Sequence, residues 1–242
     1  GSVRPVATPE DRTRRGAAAS EEADRDAESG PRAVDGRVPG RRGRATRRRL
    51  LECTRALLET TSYRDLKVVD IAREAGTSPA TFYQYFPDVE AALLSLADEV
   101  IGESAERLTR PVREANWHGR GAYAACELVA RSFLEFWADH SSLMAVIDLV
   151  ALQGDPRFRD VRTEVVSPFT LAAAEVIRAQ QDAGNVPKDI NPIATAVVLV
   201  SMLSHVAAHQ ERIQHAGVRE PDVLRAMSRM IFTGVTGQPP PD

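Results

Sequence analysis

The chain has 242 residues, 43% of them apolar, with 31 basic and 34 acidic side chains and a net charge of −3. That is enough apolar material for a sizeable core once a polar tail is set aside, and no apolar run reaches the ~20 residues needed to cross a bilayer. Two distant cysteines (Cys53 and Cys126) without a CxxC, scattered histidines and no basic-then-apolar leader argue against a disulfide framework, a zinc site and a secretory signal. The expectation is a cytoplasmic protein without metal, cofactor or membrane partner.

The charge is unevenly spread. Residues 1–40 carry seven arginines against eight acids and almost no large apolar side chains. Such a segment cannot bury enough surface to offset its ordering entropy, and the composition predicts a disordered extension. Residues 41–85 then carry ten basic against five acidic side chains, and residues 86–242 fourteen against twenty-one. A basic segment on an acidic body is the electrostatic footprint of a protein that presents one end to a polyanion.

Six arginines lie between Arg41 and Arg49. From Thr46 onward the apolar spacing is helical and strand-like alternation is absent. The first predicted helix covers 46–60, with Leu50, Leu51, Thr54, Leu57 and Leu58 on one face. A second covers 67–75, with Val68, Ile71, Ala72 and Ala75 inward. After the turn Gly76-Thr77-Ser78 a third, short helix opens on Ser78 as N-cap with Pro79 at its first position, and ends near Tyr85. Asp88 caps a long fourth helix over 89–108. A loop over 113–120 holds Trp117, and further helices cover 121–139, 142–152, 157–183, 192–214 and 221–235.

The fold class is therefore all-α. An arginine-rich arm and three-helix helix-turn-helix of the DNA-binding kind over 41–90 precedes a helical bundle over 91–242. Gly76 permits the sharp reversal between the two short helices, small alanines let them approach, and polar side chains are left outward.

The string Asp70-Ile71-Ala72, Ala75-Gly76 and Thr81-Phe82-Tyr83-Gln84-Tyr85-Phe86-Pro87, within residues 63–94, closely resembles the DNA-binding domain of the TetR family of bacterial repressors. Its Thr-Phe-Tyr-x-Tyr-Phe-Pro form is similar to the actinobacterial branch that contains the ethionamide-resistance repressor. The resemblance implies that Thr77, Ser78, Pro79 and Ala80 open a recognition helix in the major groove. It implies that Thr81, Tyr83 and Gln84 lie near bases or the adjoining backbone, with the Tyr83 and Tyr85 hydroxyls on phosphates and Phe82 and Phe86 in the core. Arg47, Arg48 and Arg49 would approach the backbone. Three departures stand out: Lys67 where the family often has Thr, Val89 in place of a common Lys, and Ser62 in place of a Gly. The arginine-rich arm, Arg44 included, is the candidate for making up the lost phosphate contacts, with Lys67 a flexible cation beside them.

Beyond residue 95 the chain is less explicit. Phe133, Phe136 and Trp137 share one helix, and Met144, Ile147, Phe169 and Met202 can converge with them. Such clusters are ordinary core unless something marks a pocket. The family resemblance implies a ligand cavity in this bundle, and few charges fall on these faces, so an apolar small molecule or acyl-type effector is expected. Trp117 and His205 are candidate polar anchors. Ile193, Val197, Val200, Ser201 and Ser204 on one of the last two helices, and Leu224, Met227 and Ile231 on the other, are expected to form a two-fold homodimer interface. The function expected is a transcriptional regulator that binds double-stranded DNA at a palindromic operator. The alternatives are a helical ligand-binding or interaction module without DNA function and, further off, an enzyme. No nucleophile–base pair, phosphate loop or paired carboxylate stands out for the last.

Overall fold

Arginine and alanine favour helix, and the first helix, α1, already begins at Arg41 and runs to Leu58, five residues earlier than the apolar spacing predicts. The chain is described by a computed structural model over residues 40–241, so the extension expected over 1–40 lies, apart from Gly40, outside the described residues. On α1, Leu50, Leu51, Thr54 and Leu58 are buried, and the Thr54 hydroxyl donates to the Leu50 carbonyl at 2.8 Å.

A 3₁₀ turn, Tyr63–Asp65, leads to α2, Val68–Glu74. Gly76 sits at φ +67°, the left-handed region that L side chains avoid. There the Gly76 N–H donates to the Arg73 carbonyl and the Thr77 N–H to that of Ala72, so the last carbonyls of α2 are satisfied as the chain reverses. Next comes α3, Pro79–Tyr85, whose Ser78 cap accepts from the Thr81 N–H. Asp88 accepts from the Ala91 N–H at 2.7 Å and opens α4, Val89–Ser104.

The fourth helix does not run smoothly to residue 108 as the periodicity suggests. Ala105–Thr109 form a π turn in which the Arg110 N–H reaches the Ala105 carbonyl. Pro111 supplies the reason. It has no N–H to give and its ring collides with a regular preceding turn, so the register slips just before it. A short α5, Arg110–Glu114, then occupies the start of what reads in the sequence as a loop.

The remaining helices are α6 Gly119–Asp139, α7 Ser141–Leu152, α8 Pro156–Asp182, α9 Pro192–Ala208, α10 Gln210–His215 and α11 Glu220–Thr236. The helix expected over 192–214 is broken at His209, which caps α9 and leads α10. The longest helix, α8, runs through Pro168. Helix α6 packs against α11 and α9, and α8 against α7 and α9. Phe133, Phe136, Trp137, Met144 and Phe158 are the large, fully buried side chains at the centre. The link between α8 and α9 is pinned by Gln181, whose amide donates to the carbonyls of Pro187 and Ile190.

By their contacts the helices form two compact units. Among the described residues, one comprises 40–57 with Asp65–Ala92; the other comprises Leu58–Arg64 with 93–241. No strand occurs among the described residues, and no helix among them is long and apolar enough to cross a membrane.

Candidate nucleic-acid interface and ligand core

In the first unit, α3 owes its outward face to what it buries. Phe82 and Phe86 are 0% and 2% exposed, their rings 5.5 Å apart, and each such burial stabilises the unit by about 1.5–3 kcal/mol. With those two inward, Pro79, Ala80, Tyr83 and Gln84 are exposed, while Thr77, Thr81 and Tyr85 are half-buried. The Tyr83 ring stands edge-on to Phe82 at 5.9 Å and is 52% exposed. Tyr83 and Tyr85 therefore differ: the first offers its phenol to solvent and the second only in part.

Ser78, expected near DNA, is occupied within the chain. Its Oγ accepts from the Thr81 N–H at 3.2 Å and lies 3.0 Å from the Thr81 Oγ1. Both hydroxyls are tied to each other, which assigns Ser78 to holding the start of α3. Lys67, exposed, stands at the N-cap of α2 without a side-chain cap bond. Its ammonium is thus not engaged in capping, the job a hydroxyl at this position would do.

The three consecutive arginines of α1 part company. The Arg47 guanidinium stacks over the Phe86 ring at 5.1 Å and its side chain is half-buried, whereas Arg44, Arg48 and Arg49 are exposed. A Cβ added at Gly76 would meet Arg49 Nη2 at 3.9 Å, so that guanidinium lies beside the turn between α2 and α3. Arg48 reaches Glu52 at 3.5 Å with both side chains largely in solvent, a pairing worth little. Cys53, partly buried, has its thiol pushed up by that burial and by Glu74, against Arg49. It is not a reactive thiolate.

The second unit holds the aromatic cluster. Phe133 stacks on Trp137 at 5.5 Å and meets Phe169 edge-on at 4.8 Å, and Phe136 packs against Trp137 at 5.4 Å. Trp117 and Phe169 line a void of about 10 Å³ with Val129, Leu203 and Ile231, room for about one water. Met144 and Ile147 are buried and Met202 half-buried. The Trp117 indole donates to the Val112 carbonyl at 2.9 Å, so its polar edge is used. By contrast, Trp137 Nε1 and Ser204 Oγ are buried without a hydrogen-bond partner, an arrangement that costs about 1–3 kcal/mol per group. Arg162 stands over the Trp137 ring at 5.8 Å.

One further expectation changes. His205 is exposed and stacks on His209 at 4.3 Å, because it sits on the outward face of α9. It does not enter the aromatic core. Cys126 is 0% exposed, and burial, with Glu127, pushes its thiol up to about 12.

The dimer candidates divide by helical phase. Val200, Ser204, Met227 and Ile231 are at most 5% exposed within their own unit, so they have nothing to offer a second copy; Leu224 is half-buried. Ile193, Ala194, Val197 and Ser201 are exposed, and with them Val198 and Met230, which the helical spacing did not single out. Val198 is 67% and Met230 57% exposed. Together α9 and α11 line an open groove of about 630 Å³ through Ala194, Val198, Leu199, Met230 and Thr233. A hydrophobic strip one position off the buried one was the available signal, but α9 is apolar on nearly every side.

An ionic cluster joins α4, the π turn and the end of α6. Arg107 donates to Glu103 at 2.8 Å and pairs with Asp139 at 2.8 Å, over the Phe136 ring at 5.5 Å. The hydrogen bond from Arg107 holds the Glu103 carboxyl below its usual range, outweighing the partial burial that pushes it up. No group of three or more metal-ligating side chains occurs among the described residues.

Residues 50–96 match the family model described as bacterial regulatory proteins, tetR family, and residues 108–242 match that of the tetracyclin repressor-like C-terminal domain. The HTH-type transcriptional regulator EthR of Mycolicibacterium smegmatis is 27% identical over 194 residues, covering 79% of this chain and 86% of its own. The transcriptional regulator FadR of Bacillus subtilis, solved in complex with stearoyl-CoA, superposes with a TM-score of 0.59 at 17% identity, over 79% of this chain and 98% of its own. FadR of Thermus thermophilus, a TetR-family repressor solved with lauroyl-CoA, gives 0.55 at 20% identity, over 81% and 98%. At such identities the structural likeness speaks to the fold.

Proposed function

The chain belongs to the TetR family of bacterial transcriptional regulators, DNA-binding proteins rather than enzymes, and we propose that it is a repressor that grips a palindromic operator as a dimer and yields to an apolar acyl-type ligand. The observation that carries this reading is the face of the first unit. Here α3 turns Ala80, Tyr83 and Gln84 to solvent, and exposed arginines of α1, one beside the helix-turn-helix, supply cations to a chain of net negative charge. Polar groups on α3 suit base edges, and Arg44, Arg48, Arg49 and Lys67 suit phosphates.

A palindrome requires two copies. The exposed apolar strips of α9 and α11 (Ile193, Val197, Val198 and Met230) support a two-fold interface, since an apolar face of this kind on a soluble unit marks an interaction site.

The ligand assignment rests on the aromatic cluster and its unpaired Trp137 indole. A void of 10 Å³ cannot hold an acyl chain, which needs about 300 Å³ or more. An acyl ligand must therefore part α6 and α8, and its carbonyl would satisfy a buried donor. The cost of that parting is the differential interaction through which a ligand changes DNA affinity. Acyl-CoA thioesters, bound by two structural neighbours, are the first ligands to try.

The test is fluorescence anisotropy of the full chain on a duplex selected from a randomised library, with lauroyl-CoA and free lauric acid titrated in. Sequence-selective binding that weakens with the thioester supports the proposal. Binding without sequence preference removes the operator, and binding indifferent to both probes removes the acyl ligand.

A further inference from the structure

Resting on the operator reading above, we infer that α3 reads A·T pairs and no guanine, with Gln84 on adenine and Ala80 on the methyl of a nearby thymine. Over the turn and recognition helix, Gly76–Tyr85, the sequence is Gly-Thr-Ser-Pro-Ala-Thr-Phe-Tyr-Gln-Tyr. It has no arginine or lysine to fork onto guanine O6 and N7, and no carboxylate to accept from cytosine. Most of its hydroxyls are already committed or recessed. Ser78 and Thr81 are bound to each other, and Thr77 and Tyr85 are half-buried. Tyr83 is exposed but carries a single hydroxyl on a ring held edge-on by Phe82, which suits a phosphate better than a two-point base contact.

Gln84 is left. It is exposed, and its amide pairs one donor with one acceptor at the spacing of adenine N6 and N7. Ala80 is exposed one helical turn earlier, so both lie on one side of α3, about 6 Å apart along its axis. At about 3.4 Å per base pair, that span is close to two base steps. A small methyl at Ala80 permits the approach that a longer side chain would block, and thymine is the base that offers an apolar contact in the major groove. Each half-site is thus expected to carry an A·T pair, with a thymine within about two steps of it.

The experiment is selection of duplexes from a randomised library by the full chain, followed by anisotropy on the enriched site and its single-pair variants. Wild type should lose affinity roughly 5- to 150-fold when the adenine facing Gln84 is replaced by another base. Gln84→Ala, folded by circular dichroism and melting like wild type because the residue is exposed, should bind all four variants within about two-fold, and Gln84→Arg should prefer guanine. Deoxyuridine for the thymine should weaken wild type about 3- to 4-fold, the worth of one methyl, and Ala80→Gly should no longer feel that change. Enriched half-sites that centre on guanine, or a Gln84→Ala variant that keeps the full base preference, overturn the assignment while leaving operator binding intact. Absence of any enriched sequence for wild type overturns both.

Discussion

Arg48 and Arg49 point to solvent while Arg47 lies over Phe86, so neighbouring arginines should fail in different ways when removed. In the double variant Arg48→Ala/Arg49→Ala two exposed cations disappear. Each phosphate contact contributes ~0.9 to the slope of log K against log salt, so the slope should flatten by about 1.8. Between about 50 and 200 mM salt, wild type should then lose roughly 12-fold more affinity than the variant. Thermal stability should hardly move, because the one ion pair lost, Arg48 to Glu52, is exposed. Arg47→Ala should do the reverse. Loss of the contact over Phe86 costs about 0.5–1 kcal/mol, a melting midpoint about 1–4 °C lower, with the salt slope close to wild type. Anisotropy on one labelled duplex across a salt series, paired with thermal melts, reads both quantities. An unchanged slope in the double variant, or a flattened one in Arg47→Ala, refutes the division of labour.

Other perturbations address separate parts of the molecule. Ser78→Ala removes the cap of α3 and should cost about 1 kcal/mol by denaturant unfolding while leaving base preference as it was; a changed preference would return Ser78 to the groove. Val198→Glu places a charge on the exposed strip of α9 and should shift sedimentation from dimer to monomer without lowering helicity; a dimer that persists moves the interface elsewhere. Trp137→Phe deletes an unpaired buried donor, so the ligand-free protein should stay within about 2 kcal/mol of wild type, the lost ring volume offset by the relieved N–H, while lauroyl-CoA binds more weakly. Unaltered thioester affinity would separate that indole from the ligand. Because its folded carboxyl lies below the usual range, Glu103 stabilises the protein above the unfolded pKa of about 4.3, and this is lost as pH falls through the lower folded value. The stability gap between wild type and Glu103→Gln, at most about 1 kcal/mol for so exposed a pair, should close over that acid window; a gap constant down to pH ~3 would contradict the ion pair.

The first unit was legible in sequence because its signals are local. Gly76 needs a left-handed backbone, Ser78-Pro79 writes a helix start, and the four-residue spacing of Phe82 and Phe86 decides which side chains of α3 are left outside. Tertiary pairing, which no local rule carries, decided the rest. Arg47 and Arg48 look alike in sequence, and only the position of Phe86 separates them. Ser78 reads equally as cap and as base contact until Thr81 is seen to close on it. In α9, from Ile193 to Val206, apolar residues fall on nearly every side, so periodicity could not tell the buried Val200 and Ser204 from the exposed Val197 and Val198. His205 was misread by the same phase error. The π turn at 105–109 was announced only by Pro111.

The proposed repressor recognises a two-fold DNA site and releases it to an acyl ligand. Hydroxyl-radical footprinting of the full chain on its selected duplex, with and without lauroyl-CoA, tests it most directly. Two protected patches related by a two-fold axis, about 10–10.5 base pairs or a multiple of that apart, are expected, both fading as the thioester is added. A single unpaired patch, or protection equal on every sequence, would contradict it.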